Sequence, residues 1–191
     1  AWENTTEREF RLWAESQDCS AARNATFYDM QDLAFRSTLE NGDSFATLPM
    51  IKRPGRVYEL AVNLIEADRV CNQANKKDEK DLVAGVKLDK FGAAVAYHIL
   101  KSHPGKGAPS KPEHWAVVPA FGSKSGRKNV IHLYRQLRIG QTRGVPDLAP
   151  VIETLKQLGN YTEAELTAAV VSGMFTVFIK SEGNLNPLNQ G

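Results

Sequence analysis

VIHLYRQLRIGQTRGVPDLAPVIETLKQLGNYTEAELTAAVVSGMFTVFIK, residues Val130 to Lys180, is the stretch whose pattern decides the fold. It opens on a strand-like run, Val130 to Arg135, and passes into a loop built on Gly140, Gln141, Thr142, Arg143 and Gly144. Helical patterning starts near Asp147. Leu148, Val151, Ile152, Leu155 and Leu158 recur at the spacing of one helix face. Asp147 can cap that helix, and Pro150 is tolerated because first-turn amides have no intrahelical partner. A second start signal stands at Thr162. Glu165 completes a capping box, and Tyr161 with Leu166 completes a hydrophobic staple. Two helices are therefore expected, with Gly159 between them as a C-cap or as a tolerated interior glycine.

The second of these helices, Thr162 to Lys180, has small residues on one face. Ala164, Ala168 and Ser172 recur every four positions, as do Ala169 and Gly173. Small side chains let another backbone come close. Leu166, Val170, Met174 and Val177 form a second apolar face, and a helix apolar on most sides calls for burial in a core or against another subunit. The uncharged run Leu166 to Ile179 is shorter than the ~20 residues needed to span a bilayer.

Upstream, Thr6 with Glu9 predicts a capped helix over Glu7 to Gln17, with Phe10, Trp13 and Ala14 inward. Thr26 with Asp29 opens a second helix that runs to about Glu40, and Asn41-Gly42 is its stop. Then strands are expected. Ser44 to Leu48 ends at Pro49, and Tyr58 to Leu64 alternates apolar with polar. Gly85 to Leu88 and Ala94 to Leu100 flank a turn at Asp89 to Gly92. Trp115 to Val118 and Val130 to Arg135 follow, with Gly122 to Asn129 between them as a basic hairpin loop. Asn75 to Asp81 and Ser102 to Pro112 are polar loops. This order implies an α+β class: N-terminal helices over 1–42, a β-rich antiparallel meander over 43–135, a loop with a C-terminal helix pair over 136–182, and a flexible tail over 183–191. The whole is expected to be a single core piece.

The composition is that of an ordinary globular protein, with 42% hydrophobic and 24% charged residues. Net charge is +2, but Lys101 to Arg143 carries nine Lys or Arg against Glu113 alone. A basic surface of that kind can neutralise phosphates, and Lys124, Arg127, Lys128 and Arg138 are its candidate DNA or partner contacts. The bland alternative is a lysine-rich surface loop. Aromatic residues do not interleave with these charges, which argues against single-strand recognition.

HPGKGAPSK and FGSKSGRKN both lack the spacing of a phosphate-binding loop. His98 and His132 lie in expected strands and are best read as structural. His103 and His114 lie in loops without ligand spacing for zinc. Glu66 and Asp68 could share a strand face around a cation, though a solvated strand end explains them as well. Cys19 and Cys71 stand in no ligand-like spacing and read as free thiols in a reducing compartment. The sequons at Asn4, Asn24 and Asn160 are chance matches without a secretory route, and no signal peptide or membrane span is expected. The residues name no cofactor, metal or catalytic group.

The strings VIHLYR, GQTRGVP, LAP, LKQL, Y-x-x-AEL and F-T-x-F-I resemble lambda-type bacteriophage portal proteins. Upstream, EFRLWAES, TFYDMQDLAFRSTLENGDSF, VYELAVNLIEADRV and GVKLDKFGAAVAYHIL resemble the same family in the expected order. Specificity comes from many ordered matches over most of the chain, because no one motif is chemically diagnostic. Family members are longer, so the chain is expected to be an internal piece. The resemblance implies a structural protein and no enzyme. It implies a dodecameric ring of copies at a capsid vertex, through which double-stranded DNA enters and leaves. Partners would be the terminase large subunit, capsid proteins and head-to-tail connectors, with assembly in the bacterial cytoplasm, residence in the virion, and no membrane. The family transfers no functional residues. From pattern alone, the candidate packing positions are Gly140, Gln141, Arg143 and Gly144 in the loop and Ala164, Ala168, Ser172 and Gly173 on the helix. The loop from Phe121 to Asn129 is longer than in some members, which leaves room for a host-specific contact. The rival readings are a phage-encoded protease or nuclease and a monomeric DNA-binding module.

Overall fold

The computed structural model describes residues 2–103, 105 and 111–174. These fall into two compact units, 1–149 and 150–191. In the first, helices α1 (Trp2–Glu15) and α2 (Phe27–Asn41) precede seven short strands. These are β1 (Asp43–Thr47), β2 (Asn63–Ile65), β3 (Leu82–Val83), β4 (Val86–Leu88), β5 (Ala94–Leu100), β6 (Trp115–Pro119) and β7 (Val130–Tyr134). In the second, helix α3 (Ile152–Met174) follows a short 3-10 turn at Ala149–Val151. The α+β class is as expected.

Local chemistry explains the ends of α2. The Thr26 hydroxyl accepts from the Asp29 amide while the Asp29 carboxylate accepts from the Thr26 amide, a reciprocal capping box. At the other end Gly42 takes φ +83 and its amide donates to the Thr38 carbonyl. Only glycine adopts that left-handed conformation without strain. The first helix departs from expectation. It begins at Trp2, and the Thr6 hydroxyl donates back to the Trp2 carbonyl inside the helix. The Thr6–Glu9 box does not form, because Glu9 is engaged by Arg8 and by the Tyr58 hydroxyl. Trp13 anchors the helix. Its ring packs 5.1 Å from that of Phe27 and its Nε1 donates to the Leu60 carbonyl.

The strands form two antiparallel sheets. One has the order β2-β1-β7 and the other is a meander, β3-β4-β5-β6. The expected hairpin of Trp115–Val118 with Val130–Arg135 is therefore corrected. A single bridge, Phe121 to Lys128, closes the intervening loop. The chain then crosses to the other sheet, where Val130–Tyr134 pairs with Asp43–Thr47 in full register. The strand expected over Tyr58 to Leu64 is likewise shorter. Ala61 donates to Pro49 and Val62 donates to Cys19, so the backbone groups there serve different partners and only Asn63–Ile65 joins a ladder.

Strand β1 is buried on both faces, which follows from its period-2 side chains. Phe45 faces a core shared with Ile65, Val70, Val86, Tyr97, Ile99 and Val130. Ala46 faces the opposite core of Cys19, Met30 and Val62, flanked by Trp13 and Phe27. Both cysteines are free.

In the second unit the expected helix pair is one continuous helix. Gly159 is the tolerated interior glycine, at ~1 kcal/mol less favourable than alanine. Thr162 does not cap a new helix; its hydroxyl donates to the Leu158 carbonyl one turn back. The end of the expected helix, from residue 175 on, and the 183–191 tail lie outside the described residues.

Candidate functional site

Asp43 is the first residue after the α2 cap and its side chain is almost completely enclosed. Its Oδ1 accepts from His132 Nε2 at 2.8 Å and from the Gly144 amide at 2.7 Å. Its Oδ2 accepts from Arg143 Nε at 2.5 Å. Burial pushes this carboxyl upward. The His132 hydrogen bond, the Arg143 charge and hydrogen bond, and the Gly144 amide outweigh it, and the net shift is downward. An ionised Asp43 can only accept, so Nε2 of His132 carries the proton. The imidazole is stacked between Phe45, at 4.1 Å, and Tyr134, at 4.3 Å.

Arg143 uses nearly its whole guanidinium. Besides Asp43, Nη1 donates to the carbonyls of Val70 and Ala84, and Nη2 donates to that of Ala67. The group lies 5.1 Å from the Phe45 ring centre. One side chain thus ties β1 to the 3-10 turn that precedes the four-stranded sheet and to the β3–β4 turn within it. The planar fork of arginine suits this; a lysine ammonium does not.

Gly144 is required by space. A Cβ there would stand 2.5 Å from the Gly42 carbonyl carbon, and a Cβ on Gly42 would stand 2.6 Å from the Val145 carbonyl carbon. The two backbones touch where the helix cap meets the loop. Gln141, 7% exposed, shapes the loop from inside. Its Oε1 accepts from the amides of Leu137 and Arg138, and its Nε2 donates to the carbonyls of Arg135 and Arg143. The Tyr134 hydroxyl donates to the Gln141 carbonyl. Gly140 supplies φ +74 with open space around it.

The structure thus brings Gln141, Arg143 and Gly144 together in one network, with Gly140 at its turn. It adds Asp43 and His132, which the sequence did not place there. Asp147, the acid nearest Arg143 in sequence, lies instead 3.8 Å from Arg135. A half-buried arginine between two glycines calls for an acid, but nothing local says which of 22 acids answers. Among the basic candidates, Lys124, Lys128 and Arg138 are exposed. Arg127 is exposed too, yet it is partly committed, donating to the Leu48 carbonyl at 3.0 Å and to Met50 Sδ. On α3, Ala164, Ala168, Ser172 and Gly173 are all exposed, and a Cβ on Gly173 would meet nothing within 4 Å. Glu66 and Asp68 lie at a 3-10 turn, Ala67–Arg69, and both are exposed. No group of three or more metal-ligating side chains occurs among the described residues. No described helix is long and apolar enough to cross a membrane.

An asparagine-glycine stop, an aspartate beneath it and a GQTRG loop against it form a structural node. The chain matches the family described as phage portal protein, lambda family, over residues 1–190. It belongs to the lambda family of phage portal proteins. It is similar to Portal protein B of Escherichia phage lambda, with 26% identity over 185 residues, and to the Portal protein of Escherichia phage N15, with 28% identity over 185 residues. Each alignment covers 95% of this chain and 34% of the relative, so the portal chain spans about a third of the length of the curated relatives it matches. The enzyme and DNA-module readings gain nothing from this match. At this node sequence motif and tertiary contact coincide, since GQTRGVP is both a string of the resemblance and the loop that Asp43 holds.

Proposed function

We propose that this chain is a structural part of a portal subunit, one copy in a dodecameric ring through which double-stranded DNA is packaged and ejected. The observation that carries the reading is the family match over nearly the whole chain. The physical features agree with it. The Asp43–Arg143 network joins backbone segments that lie far apart in sequence, as a shape-holding role requires. The exposed Lys124, Lys128 and Arg138 suit non-specific phosphate contact, which needs charge and no base reading. Helix α3 offers a small-residue face along Ala164, Ala168 and Ser172, which suits close packing against an equivalent helix of another copy. Nucleotide hydrolysis would belong to the terminase large subunit. Capsid proteins and head-to-tail connectors are the other partners, and the virion is the place of residence, after assembly in the host cytoplasm.

The test is assembly. Expressed with the flanking portions that the relatives carry, the polypeptide forms closed rings with a central channel in negative-stain images. A well-folded polypeptide that stays monomeric at every concentration would overturn the reading.

A further inference from the structure

A pocket of about 280 Å³ opens between β4 and β5 of one sheet and β7 of the other, beside the Asp43–His132 contact. Tyr97 lines it. This residue is only 5% exposed, and no described residue bonds its hydroxyl. Burial and the neighbouring Tyr134 push the phenol upward, so the hydroxyl keeps its proton and is a donor. His132 stands edge-on to Tyr97, with ring centres 6.0 Å apart. Because Nε2 of His132 donates to Asp43, its Nδ1 is left as an acceptor. Buried polar groups in folded chains have partners as a rule, so a donor and an acceptor side by side without one call for a reason.

The rest of the wall narrows the choice. Lys128 stands at the mouth, its backbone fixed by the bridge to Phe121. No acid lines the pocket among the described residues, so Lys128 sets its charge. Val86, Leu88, Ala94 and Val130 form an aliphatic side that offers water nothing to bond. Each property specifies part of a ligand. A hydroxyl both accepts from Tyr97 and donates to His132. A carboxylate answers Lys128. A short carbon body covers the aliphatic side. The volume lies at the small end of ligand pockets, which start at ~300 Å³.

We infer that this pocket binds a small aliphatic hydroxy-carboxylic acid, with its hydroxyl between Tyr97 and His132 and its carboxylate at Lys128. A phosphate group suits the wall less well, because it sets charged oxygens against four aliphatic side chains. Water alone satisfies Tyr97 and His132 but gains nothing from the aliphatic side. All of these groups belong to one chain, so the site does not depend on ring assembly.

The test titrates the isotopically labelled chain with 2-hydroxy-4-methylpentanoate and with 4-methylpentanoate, which lacks only the hydroxyl, and follows the backbone amides by NMR. The amides of Ala94, Ala120 and Thr142 are expected to shift saturably with the hydroxy acid. The deoxy acid is expected to bind about tenfold more weakly or worse, because it leaves Tyr97 and His132 unanswered. Tyr97→Phe takes one oxygen from the wall and keeps the ring, so it is expected to preserve the fold and abolish the preference for the hydroxy acid. Lys128→Ala is expected to weaken both acids alike. Shifts that never saturate, or equal affinity of the wild-type chain for the two acids, would mean that the pocket holds solvent only and would overturn the site. An undiminished preference in Tyr97→Phe, or undiminished affinity in Lys128→Ala, would overturn it as well.

Discussion

Arg143 and Asp43 stand 100 positions apart in sequence and meet at 2.5 Å. The pair is enclosed: the Asp43 side chain is 2% exposed and that of Arg143 is 21% exposed. Removing one partner of a buried ion pair leaves the other charge without compensation, which costs about 3–5 kcal/mol. Arg143→Ala is therefore expected to lower the urea midpoint of the chain severely. Arg143→Lys restores only part, because an ammonium cannot reach Asp43, Val70, Ala84 and Ala67 together. Denaturation curves of the three proteins check this. A wild-type midpoint in Arg143→Ala, with a weaker salt dependence of DNA binding, would make Arg143 a phosphate contact instead.

The same node predicts an acid response. The Asp43 carboxyl is held below its ordinary value in the folded chain, so the unfolded chain binds the proton more readily. The stabilisation is fully present above the unfolded aspartate value, ~3.9, and is lost as pH falls through the lower folded value. Urea midpoints measured from neutral pH downward should fall over that acidic range. Asp43→Asn should be less stable at neutral pH and show a flatter acid limb. Parallel limbs in the two proteins would assign the acid response to other carboxylates.

Glycine substitutions should separate by what surrounds them. Gly42→Ala and Gly144→Ala each drive a methyl into backbone carbon at 2.6 and 2.5 Å, and backbone cannot step aside. Both are expected to prevent folding or to lower stability by several kcal/mol, of the order of ~3 kcal/mol or more. Gly140→Ala meets open space and suffers only the left-handed strain of its φ +74, ~1–2 kcal/mol. Thermal melts rank the three; a mild Gly144→Ala would mean that cap and loop do not touch.

Gly173 behaves in the opposite way. Its surroundings are open and it lies within a helix, so Gly173→Ala should leave the isolated chain unharmed or raise helix stability by about 1 kcal/mol. Gly173→Leu should also fold. If the small-residue face is a ring contact, Gly173→Leu blocks assembly of the flanked polypeptide while its melt stays normal. Normal rings from Gly173→Leu would place that face in solvent.

The exposed lysines give a last expectation. Lys124→Ala and Lys128→Ala should leave the melting temperature unchanged, since neither side chain is buried. Each should reduce affinity for double-stranded DNA without regard to sequence and lower the salt slope by roughly one. An unchanged slope in the double variant would remove this loop from the DNA path.

The signals legible in the residues alone were local. The Thr26–Asp29 box, the Gly42 stop and the strand run at Val130–Tyr134 each depend on residues a few positions apart, and each stands in the structure. The ordered motifs, too, sufficed to identify the family. Signals within one segment misled at Thr162, where the helix runs straight through, and again where a competing partner lay far away. Thr6 lost its capping role once Glu9 met Tyr58, 49 positions on. Tertiary structure alone decided that β7 leaves β6 for β1, that Arg143 finds Asp43 in place of Asp147, and that Gly42 and Gly144 need to be small for each other's sake. The physical reason is common to all three. Helix caps and strand periods are settled by bond geometry within a turn or two, whereas strand partners and buried charge pairs are settled by competition among every group the folded chain can bring within reach.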